Sequence, residues 1–343
     1  MNGAALPDLP TIEDIRDAAR RLAGYAVRTP LLQAEALNVQ AGGRVFVKAE
    51  SLQRTGSFKF RGAYNRLSLI PEPERPAGVI ARSSGNHAQG VAEAARLLGM
   101  PATIVMPSDA PAIKRARTLR SGARLVDYDR AREDRDAVAE ALGRELGATQ
   151  VHPFDDPGVI AGQGTVGLEI VETLSERGIH PDLVLVPAGG GGLTAGVGLA
   201  VKAAWPEVAL VTVEPEGFDD QARSFQTGQR QSNTRLTGSI ADALLSPTPG
   251  RLTFEINRHQ VAYGVSVDDA ALLAAMAAAA SELKAILEPG GAAALAALLH
   301  RAVDLQGRTA VVIASGGNVD PQMFARALSG EGEIGSPSEH ASN

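Results

Sequence analysis

Short apolar runs that alternate with helical segments are the feature that most constrains the fold of this chain. Seven runs rich in Val, Ile and Leu are predicted to be buried strands: residues 44–49, 78–81, 102–106, 124–128, 183–186, 209–213 and 310–314. Stretches typical of helices lie around them: residues 12–22, 61–69, 88–98, 131–146, 166–177, 193–204, 268–287 and 291–303. Buried strands that alternate with helices pair in parallel through helical crossovers. The pattern predicts an α/β protein with open, twisted, mainly parallel sheets.

The chain length predicts two domains. A chain of 343 residues exceeds the roughly 250–300 residues at which a single core stops growing. Two Pro-bearing breaks, at residues 71–76 and 152–157, bracket a compact unit. We therefore predict a small domain at residues 78–152, inserted into a large domain made of residues 1–77 and 153–329. The Gly-, Ser- and Glu-rich segment 330–343 is predicted to be disordered.

Composition excludes several classes of function. The formal net charge of −6 offers no electrostatic basis for binding nucleic acid or an anionic membrane. The chain contains no cysteine, which excludes disulfides, thiolate catalysis and Cys-based metal sites. No apolar run is long enough for a membrane span, and no signal peptide is visible at the N-terminus. We expect a cytoplasmic protein with neither nucleic acid nor membrane as partner.

Lys59 is the first candidate for a catalytic residue. It ends the tripeptide Ser57-Phe58-Lys59 on a Gly-bearing turn before a predicted helix. The positive end of a helix disfavours a charged lysine and favours a neutral amine or an imine. The chain uses arginine for most of its basic positions, and its lysines are Lys48, Lys59, Lys114, Lys202 and Lys284. Amine chemistry is therefore one interpretation of Lys59, and an exposed first-turn lysine is the other.

Three further loops follow predicted strands, where ligands of open α/β sheets bind. Residues 83–87, Ser-Ser-Gly-Asn-His, place two hydroxyls, an amide and an imidazole on one turn. Residues 189–192 are four glycines before a helix, a backbone nest suited to a phosphate. Residues 315–318, Ser-Gly-Gly-Asn, form a strand-end turn that is unremarkable alone.

The four-glycine loop and the acidic segment 214–220 each allow more than one interpretation. Gly190, Gly192 and Ala195 match the spacing of a nicotinamide-dinucleotide fingerprint, and Glu214 lies where a ribose-binding acid is expected. This match leaves the other loops without a role. Glu214 and Asp220 could instead share a divalent cation, although a solvated acidic loop is the interpretation favoured by the residues alone.

Taken together, the loops resemble the fold type II pyridoxal-phosphate enzymes, in particular the branch of serine/threonine dehydratases and serine racemases. The similarity runs from Thr29-Pro30-Leu31 to residues 315–320 and includes motifs at 159–165 and 288–292, in the family's order and spacing. It implies the tryptophan synthase β-like fold, with pyridoxal 5′-phosphate between two α/β domains. A homodimer that acts on a small amino acid is expected.

The resemblance implies roles for individual residues. Lys59 would form a Schiff base with the cofactor and, once free, would remove the α-proton of the substrate. The other implied cofactor contacts are Phe58 at the ring, Asn86 at the 3-hydroxyl, Gly189, Gly190, Gly191, Gly192 and Leu193 at the phosphate, and Ser315 at the pyridine nitrogen. The implied substrate contacts are Ser83, Ser84, Asn86, His87 and Arg135. The implied ligands of a divalent cation, Mg²⁺ or else Mn²⁺ or Ca²⁺, are Glu214, Asp220 and the carbonyl of Phe218.

The expected activity is a dehydratase that converts L-threonine, L-serine or a related β-hydroxy amino acid to the 2-oxo acid and ammonia. Ser84 would allow serine racemisation by protonating the opposite face of the α-carbon. Arg135 would allow a 3-hydroxyaspartate substrate by binding its second carboxylate, or it is a surface arginine of a helix. A nicotinamide-dependent dehydrogenase is disfavoured because it gives Lys59 no role, and a binding module without catalysis would not need a reactive lysine.

Overall fold

The computed structural model of the protein describes residues 8–110, 112–129 and 131–330. The tail predicted to be disordered lies, beyond Gly330, outside the described residues. The described helices are α1 (Ile12–Leu22), α2 (Glu35–Ala41), α3 (Lys59–Ser68), α4 (Asn86–Leu97), α5 (Ala112–Arg120), α6 (Arg135–Leu146), α7 (Pro157–Glu176), α8 (Gly192–Ala204), α9 (Asp220–Thr227), α10 (Arg251–Asn257), α11 (Asp269–Leu283), α12 (Pro289–Leu299) and α13 (Pro321–Leu328). The described strands are β1 (Leu31–Leu32), β2 (Arg44–Ala49), β3 (Val79–Arg82), β4 (Ala102–Pro107), β5 (Arg124–Tyr128), β6 (Thr149–Gln150), β7 (Leu183–Pro187), β8 (Ala209–Pro215), β9 (Val261–Val267) and β10 (Thr309–Ala314).

The strands form two sheets. The larger has the order β1-β2-β10-β7-β8-β9, and the smaller has the order β5-β4-β3-β6. Every pairing is parallel except the short antiparallel pair β1–β2. Central strands such as β4 and β7 are buried along their whole length, which is why they are apolar throughout rather than alternating. The predicted α/β fold with mainly parallel sheets is confirmed.

The two sheets are built from different segments of the chain. All four strands of the smaller sheet lie between Val79 and Gln150, and the strands of the larger sheet lie before and after this segment. We retain the domain bounds 78–152, 1–77 and 153–329 as a proposal, with the smaller sheet as the centre of the inserted domain.

Three strands are absent from the sequence prediction. Strands β1 and β6 are two residues each, too short to produce a pattern. Strand β9 is an edge strand with several exposed side chains and a glycine in its middle, so it lacks the apolar run of a buried strand. Its pairing with β8 defines it as a strand.

Several helix bounds also differ from the prediction. Helix α7 begins at Pro157 rather than at residue 166, with the Asp156 side chain as its cap. The prediction started too late because the first turns contain glycines, which are poor helix formers and are used here for close packing. A Cβ on Gly164 would lie 2.5 Å from Ile15 Cδ1, and one on Gly196 of α8 would lie 2.4 Å from a carbonyl oxygen of α7. Helix α6 begins at Arg135 rather than at 131, because the Asp134 side chain caps it.

The two long Ala-rich helices are shorter than predicted. Helix α11 ends at Leu283 rather than at 287, because Lys284 adopts a left-handed conformation with φ 56°. Helix α12 runs from Pro289 to Leu299 rather than from 291 to 303. None of the helices in the described part of the chain is long and apolar enough to cross a membrane.

A buried ionic cluster fixes helix α3. The Arg61 guanidinium is fully buried and donates to both carboxylate oxygens of Glu50 at 2.8 Å and to those of Glu169 at 2.7 and 3.0 Å. Lys48 of β2 donates to Glu169 as well, at 2.5 Å. Burial opposes ionisation of Glu50, but Arg61 outweighs it and holds the pKa of that carboxyl below its ordinary value. The cluster ties α3 to the end of β2 and to α7.

Candidate active site

A cleft of about 540 Å³ brings together loops from both sheets. It forms where parallel strands end and helices begin, the expected place for a ligand in open α/β sheets. The predicted residues that line it are Phe58, Lys59, Ser83, Ser84, Asn86, His87, Arg135, Gly189, Gly190, Gly191, Gly192, Leu193 and Ser315. The three predicted cation ligands do not line the cleft.

Lys59 is the first residue of α3 and faces this cleft. Its Nζ donates to the Pro153 carbonyl at 2.7 Å and lies 5.1 Å from the centre of the Phe58 ring. Burial lowers the pKa of Lys59 to about 8, and the positive end of the helix acts in the same direction. A larger share of this amine is therefore neutral near pH 7 than for an exposed lysine.

The backbone around Lys59 is joined to the turn at Ser315. The Phe58 N–H donates to the Ser315 carbonyl at 3.1 Å, and the Gly317 N–H donates to the Gly56 carbonyl at 2.9 Å. Ser57 and Gly316 form a β-bridge. Two loops far apart in sequence are therefore bonded together and form one side of the cleft.

The four-glycine loop lies between β7 and α8, opposite Phe154. A Cβ on Gly190 would lie 2.4 Å from the Phe154 ring, and Gly191 has φ 93°, so both positions need glycine. In the described structure the N–H groups of Gly189, Gly190 and Gly191 donate to no acceptor. Free N–H groups at the start of a helix fit an anionic group such as a phosphate.

Asn86 is held by two residues that the sequence analysis did not assign. Its Nδ2 donates to Glu288 at 2.6 Å, and its Oδ1 accepts from Asn318 Nδ2 at 2.8 Å. Burial raises the pKa of Glu288 to about 7. In the sequence Glu288 belonged only to a family motif and Asn318 only to the strand-end turn 315–318, so their contact with Asn86 could not be foreseen.

The turn at residues 83–87 is anchored by its own side chains. Ser83 Oγ accepts from the Gly85 N–H at 3.1 Å. His87 Nε2 lies 3.1 Å from the Val151 carbonyl, which can only accept, so this nitrogen carries the proton. Burial lowers the pKa of His87 to about 3. His87 is a neutral anchor of the loop, and its predicted contact with substrate remains a prediction.

Two arginines share one carboxylate at the edge of the cleft. Asp136 Oδ1 lies 2.8 Å from Arg82 Nε and 3.2 Å from Arg135 Nε, and all three residues line the cleft. Half of the Arg135 side chain is exposed, which leaves donors free to face a ligand. This edge of the cleft carries one net positive charge and suits an anionic group.

Comparison with known proteins identifies the family. The family model for pyridoxal-phosphate dependent enzymes matches residues 22–316. The chain belongs to this family. Similar proteins include L-threo-3-hydroxyaspartate ammonia-lyase of Pseudomonas sp., 45% identical over 94% of this chain and 99% of the relative. L-Threonine ammonia-lyase of Thermotoga maritima is 40% identical over 93% of this chain and 78% of the relative. Maize serine racemase superposes with a TM-score of 0.88 at 36% identity, covering 94% of this chain and 98% of that structure.

These comparisons confirm the predicted resemblance to fold type II pyridoxal-phosphate enzymes, and the cofactor of the protein is pyridoxal 5′-phosphate. The cleft fits this cofactor. It holds an amine of lowered pKa, N–H groups at a helix start that donate to no described acceptor, and glycine positions whose space a Cβ would fill.

A segment that connects the two sheets contributes more to this site than the sequence suggested. His152 Nδ1 accepts from the N–H groups of Phe154 and Asp155, at 3.3 and 2.8 Å. The turn thus formed places the Pro153 carbonyl at Lys59 and Phe154 against the glycine loop. Burial lowers the pKa of His152 to about 4, so the ring accepts these bonds as a neutral group. Only a Pro-bearing break signalled this segment in the sequence.

The two acids predicted to bind a cation are buried outside the cleft. Glu214 accepts from the N–H groups of Gln221 and Ala222 at 2.8 and 2.9 Å, and Asp220 Oδ1 accepts from Asn233 at 2.6 Å. The other oxygen of Asp220 is buried without a partner. Burial raises the pKa of Asp220 to about 7 and that of Glu214 well above its ordinary value. Among the described residues no group of three or more His, Asp or Glu side chains is arranged around a metal position.

The raised pKa of Glu288 predicts a pH dependence of stability. Between pH 4.5 and 7 the folded protein binds more protons at this group than the unfolded chain does, so stability decreases as pH rises. Replacing Glu288 by Gln removes the free-energy cost of ionising this buried carboxyl group and retains an oxygen that accepts from Asn86. Relative to E288Q, the wild type should lose up to about 3 kcal/mol of unfolding free energy across this range.

Urea unfolding of the cofactor-free protein at pH 4.5, 6 and 7.5 measures this difference. E282Q, which changes an exposed acid six residues earlier in the chain, is the matched control and should follow the wild type. A difference between E288Q and wild type that does not change with pH would contradict the prediction.

Proposed function

We propose that the protein is an ammonia-lyase that eliminates the β-hydroxyl group of an amino acid and releases a 2-oxo acid and ammonia. The observation that carries this proposal is the amine of Lys59, desolvated and facing the same cleft as the free N–H groups of the glycine loop. L-threo-3-Hydroxyaspartate is the first candidate substrate, with L-threonine and L-serine as further candidates.

In this proposal the cofactor is held along the length of the cleft. The backbone of Gly189–Gly192 and Leu193 would bind its phosphate, Phe58 would pack on its ring, and Asn86 would donate the second Nδ2 hydrogen to its 3-hydroxyl. When bound, pyridoxal 5′-phosphate supplies an electrophilic aldehyde and a conjugated ring that stabilises negative charge on the α-carbon of an amino acid. Ser315 would meet the pyridine nitrogen with a neutral hydroxyl, which leaves that nitrogen unprotonated.

In this proposal Lys59 transfers the proton and the turn at residues 83–87 binds the substrate. Lys59 Nζ would bind the aldehyde carbon and, when released by the substrate amine, accept the α-proton. A base with a pKa near 8 is well matched to this step near neutral pH. The turn at residues 83–87 would bind the substrate α-carboxylate through Ser83, Ser84 and its backbone N–H groups.

The positive edge of the cleft favours a substrate with a second carboxylate. Arg135 keeps donors exposed, while Arg82 and Arg135 together outweigh the charge of Asp136. A relative that covers almost the whole chain is named for L-threo-3-hydroxyaspartate. Both points support this substrate over L-serine. If Arg135 does not contact the substrate and is only a surface residue of its helix, L-threonine and L-serine are the substrates.

Serine racemisation is a second candidate activity, supported by the hydroxyl of Ser84 in the cleft and by the likeness to maize serine racemase. Elimination and racemisation both begin with loss of the α-proton. The amount of D-serine formed per pyruvate from L-serine measures the partition, and absence of D-serine would refute the second activity.

A divalent cation would stabilise the two buried acids. Among the described residues Glu214 and Asp220 form no ion pair, since Arg223 pairs with Asp219, and the unpartnered oxygen of Asp220 offers a ligand. We propose that Mg²⁺, or else Mn²⁺ or Ca²⁺, binds there with the Phe218 carbonyl and water.

The proposal also includes a homodimer and a cytoplasmic location. Sedimentation equilibrium measures the oligomeric state.

Replacing Lys59 by Ala tests the central assignment. The variant should bind the cofactor without the visible absorption band of a lysine-linked pyridoxal, and its ammonia release should fall to background because no amine accepts the α-proton. Absorption spectra and ammonia assays of the purified proteins measure both. A retained band or retained turnover would refute the role of Lys59.

Replacing Arg135 by Leu tests the substrate class. Loss of a charged hydrogen bond should lower kcat/KM for L-threo-3-hydroxyaspartate by about tenfold to a hundredfold and leave kcat/KM for L-serine nearly unchanged. R144L, on the exposed face of the same helix α6, is the matched control. Equal effects of R135L on both substrates would contradict a role in reading the second carboxylate.

Replacing Asp220 by Asn tests the cation site. Magnesium should raise the melting temperature of the wild type, since a ligand that binds only the folded state stabilises it, and should not raise that of D220N. D219N, which changes the neighbouring half-exposed acid, should keep the response. An equal magnesium shift in wild type and D220N would place the cation elsewhere.

A further inference from the structure

Three buried side chains donate to carbonyl groups of the glycine loop. They act beside two backbone bonds, from the Gly250 N–H to the Gly190 oxygen at 3.1 Å and from the Ala195 N–H to the Gly191 oxygen at 2.9 Å. The side-chain bonds are Gln221 Nε2 to the Gly189 oxygen at 2.6 Å, Thr253 Oγ1 to the Gly190 oxygen at 2.6 Å and Asn257 Nδ2 to the Gly191 oxygen at 3.1 Å. All three side chains are fully buried. They come from two helices, α9 and α10, that lie outside the loop in the chain.

The direction of these bonds determines where the N–H groups of the loop point. A peptide unit is planar and trans, so its C=O and the following N–H point in opposite directions. Holding the carbonyls of Gly189, Gly190 and Gly191 therefore orients the N–H groups of Gly190, Gly191 and Gly192. Glycine imposes little conformational preference of its own, so this loop depends on such external bonds for a single conformation.

The donors are themselves held in place. Asn257 Oδ1 accepts from Gln260 Nε2 at 3.2 Å, which directs the Asn257 Nδ2 toward Gly191. The Asp155 carboxylate accepts from the Thr253 N–H at 3.1 Å at the start of α10. The Gln221 N–H donates to Glu214 at 2.8 Å. Each of these three side chains, which we call carbonyl clamps, is therefore held by a hydrogen bond of its own residue to a different partner.

We propose that Gln221, Thr253 and Asn257 are positioning residues for the cofactor phosphate. They act through the glycine loop, whose N–H groups they aim into the cleft, and do not contact the phosphate themselves. The inference rests on the proposed placement of that phosphate at residues 189–193. It assigns to three side chains outside the cleft a share of the affinity for the cofactor.

The experiment compares pyridoxal 5′-phosphate with pyridoxal, which lacks the phosphate. Dissociation constants of both are measured by absorbance titration of the full-length protein after removal of its cofactor. Thr253→Val removes the hydroxyl at constant shape, and Thr253→Ser is the matched control that keeps it. Gln221→Met and Asn257→Leu test the other two clamps in the same way.

Thr253→Val should weaken binding of pyridoxal 5′-phosphate by about fivefold to tenfold, the effect of one lost hydrogen bond, and leave binding of pyridoxal unchanged. Thr253→Ser should bind both as the wild type does. If Thr253→Val does not fold, the same two titrations of Gln221→Met decide the question.

A parallel loss for both ligands would mean a structural role only, and no loss for either would mean that the clamps do not position the loop. Either result overturns the inference. A wild type that binds pyridoxal as tightly as pyridoxal 5′-phosphate would instead overturn the placement of the phosphate at the glycine loop.

Discussion

The structure depends on the burial of one charge, the guanidinium of Arg61. Helix α3 begins with Lys59, so the position of that amine is only as well defined as the helix. Two bidentate carboxylates hold Arg61, one from the end of β2 and one from α7. Buried pairs of this kind add little net stability, but leaving one partner alone costs about 3–5 kcal/mol. The cluster therefore specifies one arrangement of α3 and penalises all others.

The cleft is assembled on the same principle of local restraint. The lysine, the glycine loop and Asn86 come from three parts of the chain, and each is fixed by residues that carry no role in the reaction itself. The turn at His152 serves two of them at once, since it places Pro153 at Lys59 and Phe154 against the glycine loop. The packing of the cleft also determines the pKa of Lys59, because burial, rather than a neighbouring charge, lowers it.

The sequence alone predicted much of this arrangement. Strands β2, β4, β7 and β10, which are buried along all or nearly all of their length, were apparent because the two faces of such a strand are mostly apolar. Edge strand β9 was missed because its exposed side gives no such signal. The start of α7 was missed because its glycines lower helix propensity, and the close approach of α1, α3 and α8 explains why they are there. The loops of the cleft were predicted from residue type. The bonds of Glu288 and Asn318 to Asn86, and the side-chain bonds to the carbonyls of the glycine loop, were not, because they join distant parts of the chain.

The place of β10 in the larger sheet has a consequence for folding during synthesis. Strand β10 follows every other described strand in the chain, yet it pairs with β2 on one side and with β7 on the other. Until β10 has been synthesised, β2 and β7 lack the strand that lies between them, and each leaves the N–H and C=O groups of one edge unpaired. Long-range pairing of this kind slows folding and favours aggregation of the incomplete chain. The larger sheet can therefore be completed only after all of its other described strands have been synthesised.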